Sequence, residues 1–297
     1  FSPQREYLQR GSGSGFLISP DGYVLTNEHV IYEAAQITVT TTDGKKHEAE
    51  VIGKDFTYDV ALLKIDAEEL PFIRMGDSED IIIGEWTIAL GNPFQLFEFS
   101  DKPTVTVGVV SATGMNFDFK QRSYKSMIQT DASINSGNSG GPLVNSVGHC
   151  IGINTFIYGG EGSGSIGIGF AIPNHRVKNI LPDLKKVGYV DRSFNTGLKV
   201  EDISWSVSKL LDVPQGSGVV VTSVVKDSPA DKADLKKNDI IIQINNSRIR
   251  SVRQAQRVIN SIDIRENPEI SLKIYRDGNI KNATLNVEED NEKRETI

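Results

Sequence analysis

Between Asn135 and Leu143 the chain reads Asn-Ser-Gly-Asn-Ser-Gly-Gly-Pro-Leu, and this run leaves no room for a helix directly after Ser139. Gly140-Gly141-Pro142 is poor helix material, and Leu143-Val144 behind it reads as the start of a strand. A serine framed by glycines can present its hydroxyl with backbone N–H groups turned toward one point, because such a loop needs φ values that a Cβ disfavours. Acyl transfer requires that arrangement. The hydroxyl of Ser139 attacks a carbonyl, and the stretch Gly137, Asn138, Ser139 forms an oxyanion hole in which the N–H groups of Gly137 and Ser139 donate. The same residues fit the G-x-S-x-G elbow of α/β-hydrolases, but that motif needs a helix next, then an acid and a histidine further on. Gly-Gly-Pro favours a barrel-type hydrolase.

A length of 297 residues favours two domains. With 32 basic against 39 acidic residues the net charge is -7, and no basic stripe interrupts the pattern, so nucleic acid is not an expected partner. Apolar runs are strand-sized, far short of the ~18 residues a membrane span needs. The chain starts at Phe1, which leaves room for a leader or membrane anchor ahead of it. The single Cys150 forms no internal disulfide and offers no metal-ligand spacing; it reads as a buried thiol in a strand. No metal or cofactor is expected.

Strand signals dominate residues 11–192. Gly15 to Ser19, the turn Pro20-Asp21-Gly22 and Tyr23 to Thr26 form a hairpin whose second strand runs on into Glu28-His29-Val30. Further strands are expected at Gln36 to Thr41, Glu48 to Ile52, Val60 to Ile65, Glu85 to Leu90, Val105 to Ala112, Leu143 to Asn145, Cys150 to Phe156 and Gly167 to Ile172. The glycine-rich run 159–164 is either a linker or a substrate-facing loop. Apolar residues at 177, 180, 181 and 184 predict a helix that closes this domain. From about Asn195 strands mix with an amphipathic helix at Ser251 to Ser261, and 290–297 is a charged tail.

A serine hydroxyl needs a base. Of His29, His47, His149 and His175, His29 stands out at the end of an apolar strand, whereas His47 and His175 sit in polar surroundings and read as solvent-exposed. Asp59 opens the apolar strand Val-Ala-Leu-Leu, where an acid asks for a partner, and it can orient and charge-balance the base. The order His29, Asp59, Ser139 is that of chymotrypsin-like enzymes.

Thr26-Asn-Glu-His-Val-Ile31, Asp59-Val-Ala-Leu-Leu-Lys-Ile65 and Ile128-Gln-Thr-Asp-Ala-Ser-Ile-Asn-Ser-Gly-Asn-Ser-Gly-Gly-Pro-Leu143 resemble the three catalytic segments of the HtrA (DegP/DegS, Do-type) serine proteases. Val224 to Ile241 is similar to the core of the PDZ module that follows the protease in that family. The resemblance implies a mostly β chain: an N-terminal arm at 1–10, a chymotrypsin-like double β-barrel protease domain at 11–192, and a mixed α/β PDZ domain at 195–289. It implies ATP-independent cleavage of unfolded proteins in the cell envelope, with the periplasm as the expected compartment, and a homotrimer or higher oligomer touching through Phe1, Tyr7 and Phe16. It also implies that C-terminal peptides bind PDZ at Thr196, Gly197, Leu198 and Lys199, and that loops near 94–103, 114–125 and 156–166 order the oxyanion hole.

Ser133, Ile134, Ile153, Asn154, Thr155 and Ile168 are expected to line the primary specificity pocket; lacking an acid, it would take small or medium aliphatic side chains. Three residues depart from the family pattern: Ser136 replaces a proline, Glu28 is unusual beside the histidine, and Asp234 stands where PDZ domains carry glycine. The competing reading is a peptide-binding or chaperone-like protein with a silent barrel.

Overall fold

The computed structural model describes residues 11–92, 102–119, 122–135, 137–157, 165–211, 213–214, 216–265 and 267–287. The chain divides into two compact units, Phe1–Val190 and Asp191–Ile297. The expectations placed on Phe1, Tyr7, Ser136, the glycine-rich run and the charged tail lie outside the described residues.

The first unit begins with β1 (Phe16–Leu17), β2 (Tyr23–Thr26), helix α1 (Glu28–Ile31), β3 (Thr38–Thr40), β4 (Lys46–Asp55) and β5 (Val60–Ile65). These strands form an antiparallel sheet in the order β1-β2-β5-β4-β3. Its short end strands pair only inward, with β2 and β4, so among the described residues this half is a sheet without strand-to-strand closure. The second half closes. β6 (Trp86–Gly91), β7 (Thr104–Phe119), β8 (Arg122–Thr130), β9 (Pro142–Asn145), β10 (Cys150–Ile157) and β11 (Gly169–Pro173) form a barrel in the order β10-β11-β8-β7-β6-β9.

Alternation along these strands puts Leu25, Val60 and Leu62 from the sheet into one core with Met127, Ile153 and Ile172 from the barrel. Helix α2 (Asn174–Lys186) covers that core with Val177, Ile180 and Leu184, as the helical spacing predicts. Cys150 is buried in the same core, where desolvation pushes its thiol up to about 12, so it is an inert small apolar residue.

Several expectations are corrected. The strand leading to His29 stops at Thr26, and His29 sits on the helical turn α1, because Asn27 turns its side-chain amide to the Asp59 carbonyl (2.9 Å) instead of continuing the ladder. Phe16 is buried in the shared core and is not available for a contact between subunits. Neither His47 nor His175 is solvent-exposed. Both are half-buried, and His175 Nδ1 lies 2.9 Å from the Ser78 hydroxyl, which also accepts from the His175 amide. Strands β7 and β8 extend through much of 114–125, so most of this stretch is a long hairpin rather than a loop.

The second unit contains β12 (Leu198–Asp202), α3 (Trp205–Leu211), β13 (Val219–Val224), α4 (Pro229–Lys232), β14 (Ile240–Ile244), β15 (Ser247–Arg248), α5 (Val252–Asn260), β16 (Glu269–Arg276) and β17 (Asn279–Asn286). Its sheet runs β12-β13-β14-β16-β17, with β12 at an edge. Ser251 caps α5 by accepting from the Gln254 amide, and the Asp202 carboxylate at the end of β12 accepts from the Val252 amide (2.7 Å), which holds α5 beside the edge strand. Asp234, the departure from glycine, adopts φ +58°, a conformation aspartate tolerates. Arg276 and Lys236 each reach its carboxylate at 3.1 Å.

Candidate active site

The acid is placed by an unusual backbone. Asp59 takes φ +59° at the entrance to β5 and is fully buried, which turns its carboxylate back toward α1. Its Oδ1 accepts from the His29 amide (3.0 Å) and its Oδ2 lies 2.7 Å from His29 Nδ1. With Nδ1–H donating to the carboxylate, Nε2 is the basic nitrogen. The Thr155 hydroxyl (2.8 Å) and the Tyr124 phenol (3.2 Å) also donate to Oδ2. Burial pushes the Asp59 carboxyl up, but the His29 contact and the Arg122 guanidinium outweigh it and hold the group below the usual carboxylate range. Tyr124 is pushed up by burial and by the Asp59 charge, so its phenol stays protonated and remains a donor.

Ser139 is half-buried between Gly137 (φ +101°) and Gly140 (φ +86°). A Cβ on Gly140 would meet the Ser14 carbonyl and the Thr26 hydroxyl, so only glycine permits this approach of the loop to the sheet. Among the described residues the amides of Gly137 and Ser139 donate to no backbone carbonyl, whereas the Asn138 amide is engaged by the Asn135 carbonyl (3.0 Å). Asn138 is therefore a buried strut of the loop, and its neighbours carry the two unengaged donors. The Ser139 hydroxyl donates to the Thr155 carbonyl (3.1 Å).

Thr155, assigned from sequence to the pocket, instead links the acid to the serine: its hydroxyl binds Asp59 and its carbonyl accepts from Ser139. Ile134, Ile153 and Asn154 are buried to 1 % exposure or less and present no surface to a substrate in this state. Asn154 serves the serine loop, accepting from the Gly140 amide and donating to the Gly141 carbonyl. Ser133 is exposed and Ile168 half-buried.

Sequence reasoning passed over Ser14. Its amide donates to the Ser139 carbonyl (2.9 Å), its hydroxyl donates to the Gly137 carbonyl (2.5 Å) and accepts from the Asn92 amide (2.8 Å), and its carbonyl accepts from Thr26 Oγ1 (2.7 Å). This one residue ties the serine loop to β2 and to the end of β6. Its only sequence signal is a serine between glycines just ahead of the first strand.

Residues 13–153 match the trypsin-like peptidase domain model, and residues 166–287 match the PDZ domain model. The solved HtrA-type protease AlgW with decapeptide is 38 % identical, covering 93 % of this chain and 82 % of its own, with a TM-score of 0.63. This chain belongs to the HtrA-type serine proteases. The serine endoprotease from Yersinia pestis is 34 % identical over 95 % of this chain and 90 % of its own, with a TM-score of 0.58. A probable periplasmic serine endoprotease, DegP-like, from Chlamydia pneumoniae is 43 % identical over 94 % of this chain. The chain spans about half the length of the curated relatives it matches, 54 % in that case.

Proposed function

We propose that this HtrA-type chain is an ATP-independent serine endopeptidase of the cell envelope that cleaves unfolded proteins and answers to C-terminal peptides at its PDZ domain. The observation that carries this reading is the buried Asp59 carboxylate 2.7 Å from His29 Nδ1, set against a glycine-framed Ser139. In this mechanism the Ser139 hydroxyl leaves the Thr155 carbonyl and gives its proton to His29 Nε2 as Oγ attacks the scissile carbonyl. The amides of Gly137 and Ser139 stabilise the oxyanion. His29 then protonates the leaving amine, and water, deprotonated by the same nitrogen, releases the acyl group from Ser139. The relatives named as periplasmic support the envelope location.

At the specificity pocket, Ser133 and Ile168 are the proposed walls that retain exposure, and neither carries charge. Cleavage of casein, mapped by mass spectrometry, is expected mainly after Val, Ala, Leu or Ile; a majority of cuts after Lys or Arg would refute this assignment. The PDZ proposal rests on the open edge of β12 beside α5, where an extended peptide can add as a strand. Thr196, Gly197, Leu198 and Lys199 lead into that edge, with Leu198 half-buried against the domain core. Leu198→Glu is expected to lower affinity for a peptide ending in an aliphatic residue by about tenfold or more, since it buries a charge where an apolar terminus docks. Unchanged binding by fluorescence anisotropy would remove Leu198 from the groove. The AlgW structure with decapeptide supports peptide recognition within the family. Stimulation of casein cleavage by the same peptide tests the regulatory part directly, and a rate indifferent to peptide would leave a protease without PDZ control.

A further inference from the structure

Glu28 precedes the base in sequence and is not used by the proposed mechanism, yet its side chain is only 2 % exposed. A buried carboxylate next to a site that already holds Asp59 needs compensation, because two like charges in a dry setting oppose each other's ionisation. The compensating group comes from the other half of the unit. Arg122, the first residue of β8 and 8 % exposed, sends Nη2 to Glu28 Oε2 (2.5 Å) and Nη1 to Asp59 Oδ1 (3.0 Å). The same Nη1 donates to the Phe56 carbonyl (3.0 Å), and the guanidinium lies 4.2 Å over the Phe56 ring. Four contacts therefore fix the plane of one side chain. Lys54 is the second cation near Glu28, but it stands 3.7 Å away and is half in solvent.

We propose that Arg122 is a positioning residue of the His29–Asp59–Ser139 site: by spanning Glu28 and Asp59 it holds the acid toward His29 and balances the second carboxylate buried beside it. The inference rests on the serine endopeptidase reading above. The guanidinium takes Oδ1 while His29 Nδ1, Thr155 and Tyr124 share Oδ2, so each carboxylate oxygen has a fixed set of donors and the carboxylate cannot rotate without losing them. A lysine could not do the same, since its single ammonium cannot reach two acids in a planar fork. The unusual Glu28 is then the counter-charge that draws Arg122 into place.

The charged and titratable groups around this pair are Glu28 and His29 on α1, Tyr32 just past it, Lys54 and Asp55 at the end of β4, and Arg122 and Tyr124 on β8. Removing Arg122 takes away a positive charge and favours the protonated form of the His29–Asp59 pair. Removing the Glu28 charge does the reverse. A residue that merely props the fold would not produce opposite signs.

The experiment is the pH dependence of kcat/KM on dye-labelled casein from pH 5.5 to 9 for wild type, Arg122→Met, Glu28→Gln and the double variant, with Ser139→Ala as background. The acidic limb is expected to move up by about one pH unit in Arg122→Met and down by a similar amount in Glu28→Gln, with the double variant returning close to wild type. Shifts of the same sign, no shift, or a double variant that keeps the Arg122→Met displacement would overturn the proposal. If Arg122→Met does not fold, the downward shift of Glu28→Gln decides alone. Activity no greater than that of Ser139→Ala would instead refute the endopeptidase reading. The low-field proton resonance of the His29–Asp59 hydrogen bond, titrated over the same range, then reads the same opposite shifts without turnover.

Discussion

Ser139→Ala is expected to lower kcat on unfolded casein by about a millionfold, the scale on which a nucleophile acting as one unit with its base is lost. That corresponds to about 8 kcal/mol of transition-state stabilisation. The fold should hardly notice. Ser139 is half-buried, its hydroxyl makes one bond among the described residues, to the Thr155 carbonyl, and the loop around it is held through its backbone by Ser14 and Asn154. A single hydrogen bond of this kind is worth about 1 kcal/mol, so the melting temperature should stay within a few degrees of wild type. Activity lost together with the folded state would mean that the loop, rather than the hydroxyl, had been removed. Activity retained in the variant would remove Ser139 as the nucleophile, whereas no cleavage by wild type would move the assignment to the competing reading, a peptide-binding protein whose barrel is silent.

The second large effect is expected at Asp59. Asp59→Asn should reduce kcat by about ten-thousandfold, because an amide cannot accept from all the donors that converge here and presents its own N–H groups to some of them. His29 Nδ1 then has no anion to hold it as the donor, and Nε2 is no longer kept as the proton-accepting nitrogen. Unlike the serine, this residue also stabilises the fold. Replacing a buried anion that meets Arg122, His29, Tyr124 and Thr155 should cost on the order of 3 kcal/mol.

The pH dependence of that cost has a definite sign. The carboxyl of Asp59 titrates below its ordinary value of 3.8 in the folded chain. Its contribution is therefore fully present above about pH 4 and is lost as pH falls through the folded-state value. The gap in melting temperature between wild type and Asp59→Asn should accordingly be constant from pH 5 to 7 and close below about pH 4. A gap that widens toward acid would show that the carboxyl is raised instead.

The chemistry of the site was legible because it lies in short, self-contained runs. Ser139 sits among glycines whose positive φ angles follow from their lack of a Cβ, and the order His29, Asp59, Ser139 needs no tertiary information. Helix α2 was equally readable, since its buried positions recur at a helical period. So was α5 in the PDZ domain, an amphipathic helix expected at Ser251 to Ser261 and found at Val252–Asn260.

The sequence by itself therefore determined which side chains are the candidates for the proposed reaction, and roughly which segments are strands, because both depend on local backbone preference and periodicity. Only the tertiary structure decided how those side chains are held. Ser14 reaches Gly137 across 123 positions, Thr155 reaches Asp59 across 96, and Arg122 reaches Glu28 across 94. No periodicity marks such partners, since each is a lone polar residue whose burial is known only when two distant segments close over it. The same reason explains why Phe16 went to the core and Ile153 left the substrate surface. Burial is a property of the packed sheet and barrel together, and a strand alone does not say which neighbour will cover its faces.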